Sequence, residues 1–299
     1  MGSRGLVVII AALAALTLAP LANASEIVGR NATNVKLAVA TNGQALVTYR
    51  AAGAQKRVLV WGAGNAIAPH PSRRQLAFKV DYSGGWGTYR RKVWQGFRNA
   101  CRPYDGPKLG WFVTGCKAAD GSYWAIQSWQ RMLPNYGLTA SPKQAVWELR
   151  LSHWSGPLPE LQIHLDWSYR KFHHLYGSFT YGGTGVYGFR TTSTGVPLDT
   201  HGRNVYVDTF NSAYGAGWKR ENSFLTHRPN GTFCYGFYRH GARPEGTGER
   251  YRATVIGPGL TPDVLWESAA PGAYDRLADL DDLEHQRGFL EGDNVCNPL

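Results

Sequence analysis

The chain lacks the short motifs by which the commonest chemistries are recognised. It has no Gly-x-Ser-x-Gly elbow and no Gly-x-x-x-x-Gly-Lys sequence, which removes the usual serine-hydrolase and nucleotide-binding readings. Neither Cys-x-x-Cys, Cys-x-x-His nor His-Glu-x-x-His occurs, so no zinc site is indicated and no cofactor is expected. Charge is scarce, at 18% of residues, and acids are outnumbered by Lys and Arg, 21 to 32. Beyond Leu18 no apolar run is long enough to span a bilayer. There is no internal repeat and no low-complexity tract. Outside the tail no stretch keeps a helical period, which argues against a parallel sheet with crossover helices.

What is present begins with a leader-like segment. "MGSR" precedes an apolar run from Leu6 to Leu18, and Ala22-Asn23-Ala24 is a small-x-small cleavage site. Residues 1–24 therefore read as a secretory signal peptide, with the product released to the extracellular or periplasmic space and no later membrane span. In an oxidising compartment the four cysteines read as two disulfides. Cys101–Cys116 and Cys234–Cys296 are the favoured pairs, because the first two lie close in sequence.

Composition and turns point to β structure. Val, Ile, Tyr, Phe and Trp gather in short runs such as "KRVLVW", "LAFKVDY", "VWELRLSHW" and "NVYVDTF". Asn42-Gly43, Asp120-Gly121 and Asn230-Gly231 supply the positive φ angles of tight hairpins. The expected fold is all-β, an antiparallel sandwich-like arrangement of layered sheets with a short C-terminal helix near residues 274–287. Leu277, Leu280 and Leu283 recur at spacing three in that helix. Pro134 to Gln144 is the candidate boundary between an N-terminal lobe (25–140) and a C-terminal lobe (141–299), unless the two form one integrated domain.

Arg4 is the only charge in the leader, so the rest of the chain carries +10. Seven acids against Arg276 and Arg287 follow Ala273, which leaves +15 on residues 25–272. A basic exported body is drawn to anionic surfaces such as wall polymers, acidic glycans or nucleic acid. The acidic tail lacks the spacing of a calcium loop and reads as a solvated face or a tail docked on the basic body.

Three glycine-framed loops carry aromatics. "SGGWGTY" holds Trp86 and Tyr89, followed by Arg90, Arg91 and Lys92; "YGGTGVY" holds Tyr181 and Tyr187; "AYGAGW" holds Tyr214 and Trp218. A ring placed among glycines suits stacking on a sugar, and adjacent cations suit carboxylates, sulfates or phosphates. Rings folded back onto the core would look the same in sequence. Nucleotide bases would use the same parts but rank below glycans, because the protein leaves the cytoplasm.

The other site reading concerns "LQIHLDWSYR". Leu161, Ile163, Leu165, Trp167 and Tyr169 share one face; His164 and Asp166 share the other, expected to be solvent-accessible. If the preceding strand paired with this one, Glu148 would join Asp166 and His164 as catalytic candidates. Two carboxylates flanking a sugar are what glycoside hydrolysis needs, and Asp208 and Glu221 are the other strand-borne acids. Two functions follow: binding of an anionic or carbohydrate polymer through the aromatic loops, or secreted glycan cleavage by paired carboxylates. Oligomeric state is not legible.

Overall fold

Turn chemistry places the hairpins where the sequence marks them. Gly43 adopts φ 76° and Gly121 φ 88°, angles that glycine takes without steric penalty. Gly43 N donates to Ala40 O and Gly121 N to Ala118 O, each at 3.0 Å. In the second turn the Asp120 carboxylate also accepts from Ser122 N at 3.0 Å, which fixes the entry to the next strand.

The computed structural model describes residues 25–63, 76–131, 142, 146–168, 172–186, 205–220, 224–227, 231–236 and 248–289. Strands β1 (Glu26–Arg30), β2 (Thr33–Val39), β3 (Ala45–Ala51), β4 (Ala54–Trp61) and β5 (Lys79–Asp81) lead to a single helical turn, α1 (Trp86–Tyr89). Next come β6 (Arg102–Pro103), β7 (Phe112–Lys117), β8 (Tyr123–Trp129) and β9 (Glu148–Trp154). The second half holds β10 (Glu160–Ser168), β11 (Phe172–Tyr181), β12 (Thr184–Gly185), β13 (Val205–Ser212) and β14 (Gly215–Arg220). It ends with β15 (Phe224–His227), β16 (Thr232–Gly236), β17 (Arg250–Val255), β18 (Val264–Ala269) and helix α2 (Arg276–Phe289). The described residues form an all-β fold, in four antiparallel sheets with one C-terminal helix, as the sequence indicates.

The sheets pack in two pairs. β1-β9-β8-β7-β6 faces β2-β3-β4-β5 across a core of Val28, Val47, Val60, Trp124, Ile126 and Leu151. β10-β11-β16-β15 faces β14-β13-β17-β18 across Leu175, Phe179, Val207, Phe233, Tyr251 and Ala253. β9 follows the expected boundary at Pro134 to Gln144, yet it lies between β1 and β8 in the first pair. The chain therefore crosses from one pair to the other at residues 155–159. The Cys101–Cys116 disulfide forms, closing 15 residues beside the first core. Cys296 lies outside the described residues, so its expected bond to Cys234 does too.

A buried polar junction joins the two halves. The Gln127 side chain donates to Asp263 O at 2.9 Å and accepts from Asp263 N at 2.8 Å, as a neighbouring strand would. The Asp263 carboxylate accepts from Trp129 Nε1 at 2.7 Å and from Ser25 Oγ at 2.6 Å. Arg150 Nη1 donates to Ser25 O at 3.4 Å, while its Nε lies 3.7 Å from Asp263. The side chains of Gln127, Trp129, Ser25 and Asp263 are each partnered from a distant segment, which is how such a group escapes a desolvation penalty of about 1–3 kcal/mol.

Candidate functional site

The first glycine-framed loop forms an exposed aromatic and basic patch. Gly84 and Gly85 adopt φ 68° and 102°, and a Cβ on Gly85 would lie 2.5 Å from Val93 Cγ2, so the turn requires glycine there. The Asp81 carboxylate, at the end of β5, accepts from Ser83 N and Thr88 N, both at 2.8 Å, and from Ser83 Oγ at 2.5 Å. These bonds hold α1 in place. Burial raises the Asp81 carboxyl, but the bonds from Ser83 and Thr88 outweigh it and hold the pKa down at about 2. On this pinned turn Trp86 is 48% exposed and Tyr89 38%, and Arg90, Arg91 and Lys92 are all exposed. Gln44 donates to the Tyr89 hydroxyl at 2.9 Å, and the Tyr89 ring lies 6.0 Å from that of Trp61.

The described aromatics of the other two loops are half-buried. Tyr181 packs on the second core. Tyr187 lies outside the described residues. Tyr214 and Trp218 are half-buried, Trp218 with the Arg252 guanidinium 4.2 Å and the Phe210 ring 5.3 Å away. Arg252 and Arg250 reach Trp218 from β17, two strands distant, a placement that no local pattern signals.

Two of the strand-borne acids are counter-ions. Glu148 is buried, 2.5 Å from Arg150 and 3.4 Å from Arg131. Asp208 is buried between Arg220 at 2.5 Å and Arg252 at 2.8 Å. β9 pairs with β1 and β8, and β10 with β11, so Glu148 does not meet Asp166 or His164 as the sequence reading supposed. Pairing between strands is non-local, and neighbours in sequence here belong to different sheets. Glu221 lies outside the described residues.

A cleft of about 470 Å³ lies instead where β10 meets α2. Leu161, Ile163 and Leu165 pack on the second core as their alternation implies, and Trp167 is half-buried; Tyr169 is not among the described residues. His164 and Asp166 occupy the opposite face, but that face is roofed by α2 and both are half-buried. Register sets His164 opposite Tyr176, and their rings stack with centroids 5.2 Å apart. The Tyr176 hydroxyl donates to Asp282 Oδ1 at 2.9 Å and sits 2.6 Å from His285 Nδ1. With its one proton given to Asp282, the hydroxyl accepts from the imidazole, which leaves His285 Nε2 without a proton in the neutral ring. Burial, then the Asp282 carboxylate, pushes the Tyr176 phenol up. Burial and the neighbouring His285 hold His164 below its ordinary value.

The helix docks polar side first. Asp279, Asp282 and Gln286 are buried, while Leu277 is 75% and Leu280 52% exposed. Tyr176, Asp281, Asp282 and His285 therefore belong to the cleft, although the leucine spacing drew attention to the other side of the helix. The signal that marks them is the 282, 285, 286 spacing, one helical face of Asp, His and Gln. Among the described residues no three His, Cys, Asp or Glu side chains are placed to share a metal ion. No protein-family model, curated protein or solved structure matches the chain.

Proposed function

We propose that the protein is exported and binds an anionic or carbohydrate polymer through Trp86, Tyr89, Arg90, Arg91 and Lys92. The observation that carries this reading is the pairing of two partly bare rings with three consecutive exposed cations on one hydrogen-bonded turn. The ring faces stack on sugar units, and the cations bond to carboxylate, sulfate or phosphate groups along the chain. Because the turn is held by Asp81, little ordering entropy is lost on binding. The leader-like first 24 residues and the Cys101–Cys116 disulfide agree with an oxidising, extracytoplasmic destination. Among the described residues no helix is long and apolar enough to cross a membrane.

The test is retention of the leaderless protein on immobilised uronate, sulfated and phosphate-bearing polymers, at low and high salt. Trp86→Ala is expected to weaken retention about tenfold, equivalent to about 1.4 kcal/mol. Joint replacement of Arg90, Arg91 and Lys92 by Gln is expected to abolish the salt-sensitive part. Wild-type retention by both variants, or no retention on any polymer at low salt, would overturn the proposal.

A further inference from the structure

The turn that carries Trp86 lies on a sheet face whose charge has one sign. Residues 25–100 hold twelve Lys and Arg against two acids, Glu26 and Asp81. In the sheet β2-β3-β4-β5, Val39, Val47, Val58 and Val60 face the first core. Alternation therefore sends Lys36, Arg50, Arg57, Trp61 and Lys79 to the outer face. Register aligns Lys36 with Thr48 and Thr48 with Arg57 across three strands, and sets Lys79 beside Trp61. From Arg50, opposite Gln55, to Trp61 the face runs about 20 Å at the rise of a strand. The Trp86 turn crosses it over Leu59, which a Cβ on Gly85 would approach to 3.2 Å. Farther along the same segment, the Trp94 ring lies 5.0 Å from the Arg57 guanidinium. Lys36, Arg50 and Lys79 are exposed, as are the three cations of the turn. Asp81, the acid on this face, is buried, and its oxygens are engaged by Ser83 and Thr88. Among the described residues of the face no other carboxylate competes with an incoming anion.

We infer that the whole outer face of β2-β3-β4-β5 is one extended binding surface, and that its ligand is a linear polysaccharide with carboxylate or sulfate groups on successive sugars. The inference rests on the reading that the Trp86 turn holds an anionic polymer, and adds the path of that polymer and its need for length. A chain held at the turn brings its next acidic groups to Arg57, Lys36 and Arg50 without a second loss of translational freedom. Each added repeat therefore strengthens the hold, until the chain spans the face. The face offers cations in series but few open rings. Trp61 and Tyr89 pack against each other at 6.0 Å, and Arg57 sits over Trp94, which leaves Trp86 as the barest ring on this face. A nucleic acid single strand gains its affinity by stacking successive bases on such rings, and this face lacks the series. A polymer charged on every sugar needs only one stacking platform, which Trp86 supplies.

The experiment titrates the leaderless protein at low salt with uronate di-, tetra- and octasaccharides, the sulfated octasaccharide and a single-stranded oligonucleotide of matching charge. Affinity is expected to rise at least about tenfold from disaccharide to octasaccharide. The uronate and sulfated arms tell carboxylate from sulfate as the preferred group. Lys36→Gln with Arg50→Gln, at exposed positions far from the turn, is expected to remove most of the gain with an unchanged thermal transition. Trp86→Ala should weaken every length by a similar factor. In the wild type the octasaccharide, and not the disaccharide, should shield Lys36 from an amine-reactive reagent. A length gain that survives the double variant, an unshielded Lys36, or an oligonucleotide that binds as tightly as the octasaccharide would overturn the inference. Binding with no length gain also overturns it and leaves the Trp86 reading standing; no binding at any length overturns both.

Discussion

Burial raises the Asp81 carboxyl, yet the hydrogen bonds from Ser83 and Thr88 bring its pKa to about 2, below the ordinary 3.8. A carboxyl depressed in the folded state stabilises its turn above the ordinary value, and that contribution is lost as pH falls through the folded one. The Trp86 turn is therefore expected to be intact above pH 3.8 and to loosen as pH approaches about 2. The Trp86-dependent part of the fluorescence, taken by difference from Trp86→Phe, reports this. Asp81→Asn should show the acid-loosened signal already at neutral pH, and a flat titration in the wild type would count against the role of Asp81. At this scale the sequence is readable where the cause is local. The glycines around Trp86 mark a turn that holds the ring out, and it is out. The same pattern around Trp218 leaves its ring half-buried, because the arginines beside it lie on β17.

Strand alternation and hairpin dipeptides made most elements legible, and the C-terminal helix falls at Arg276–Phe289 against an expected 274–287. Its orientation was not legible. Periodicity gives the spacing of a face but not which face turns inward, and the sheet beneath α2 presents His164, His174 and Tyr176, which require polar partners. Tyr176→Phe removes the hydroxyl between Asp282 and His285, leaving a buried carboxylate short of a donor. The expected loss is about 1–3 kcal/mol, confined to faster hydrogen exchange across the helix. Leu277→Gln with Leu280→Gln should change stability by less than about 0.5 kcal/mol, as exposed positions do. A large loss in that double variant, by urea unfolding, would mean that the leucines are covered in solution.

Which strands neighbour one another was the least legible level, because pairing and burial are settled between segments far apart in sequence. Glu148 and Asp208 read as available acids and are ion-paired instead, Glu148 with Arg150 on its own face of β9 and Asp208 with Arg220 and Arg252 from the strands on either side. Arg150 lies where the two halves meet, among Glu148, Asp263 and Ser25. Arg150→Met leaves the buried Asp263 without its cation and Glu148 with Arg131 alone, and is expected to cost about 3–5 kcal/mol. Both halves should be affected, read as a lower urea midpoint for probes in each. A variant with only the first half weakened would show that the junction does not couple them. The same junction has a consequence in time. Ser25 near one end is bonded to Asp263 across 238 residues, and β1 waits for β9 before it has a neighbour. Contacts of such span form late and slowly. A chain emerging amino end first can therefore pair β1 with β9 once residue 154 has appeared, but the bolt between its halves is thrown only when Asp263 arrives.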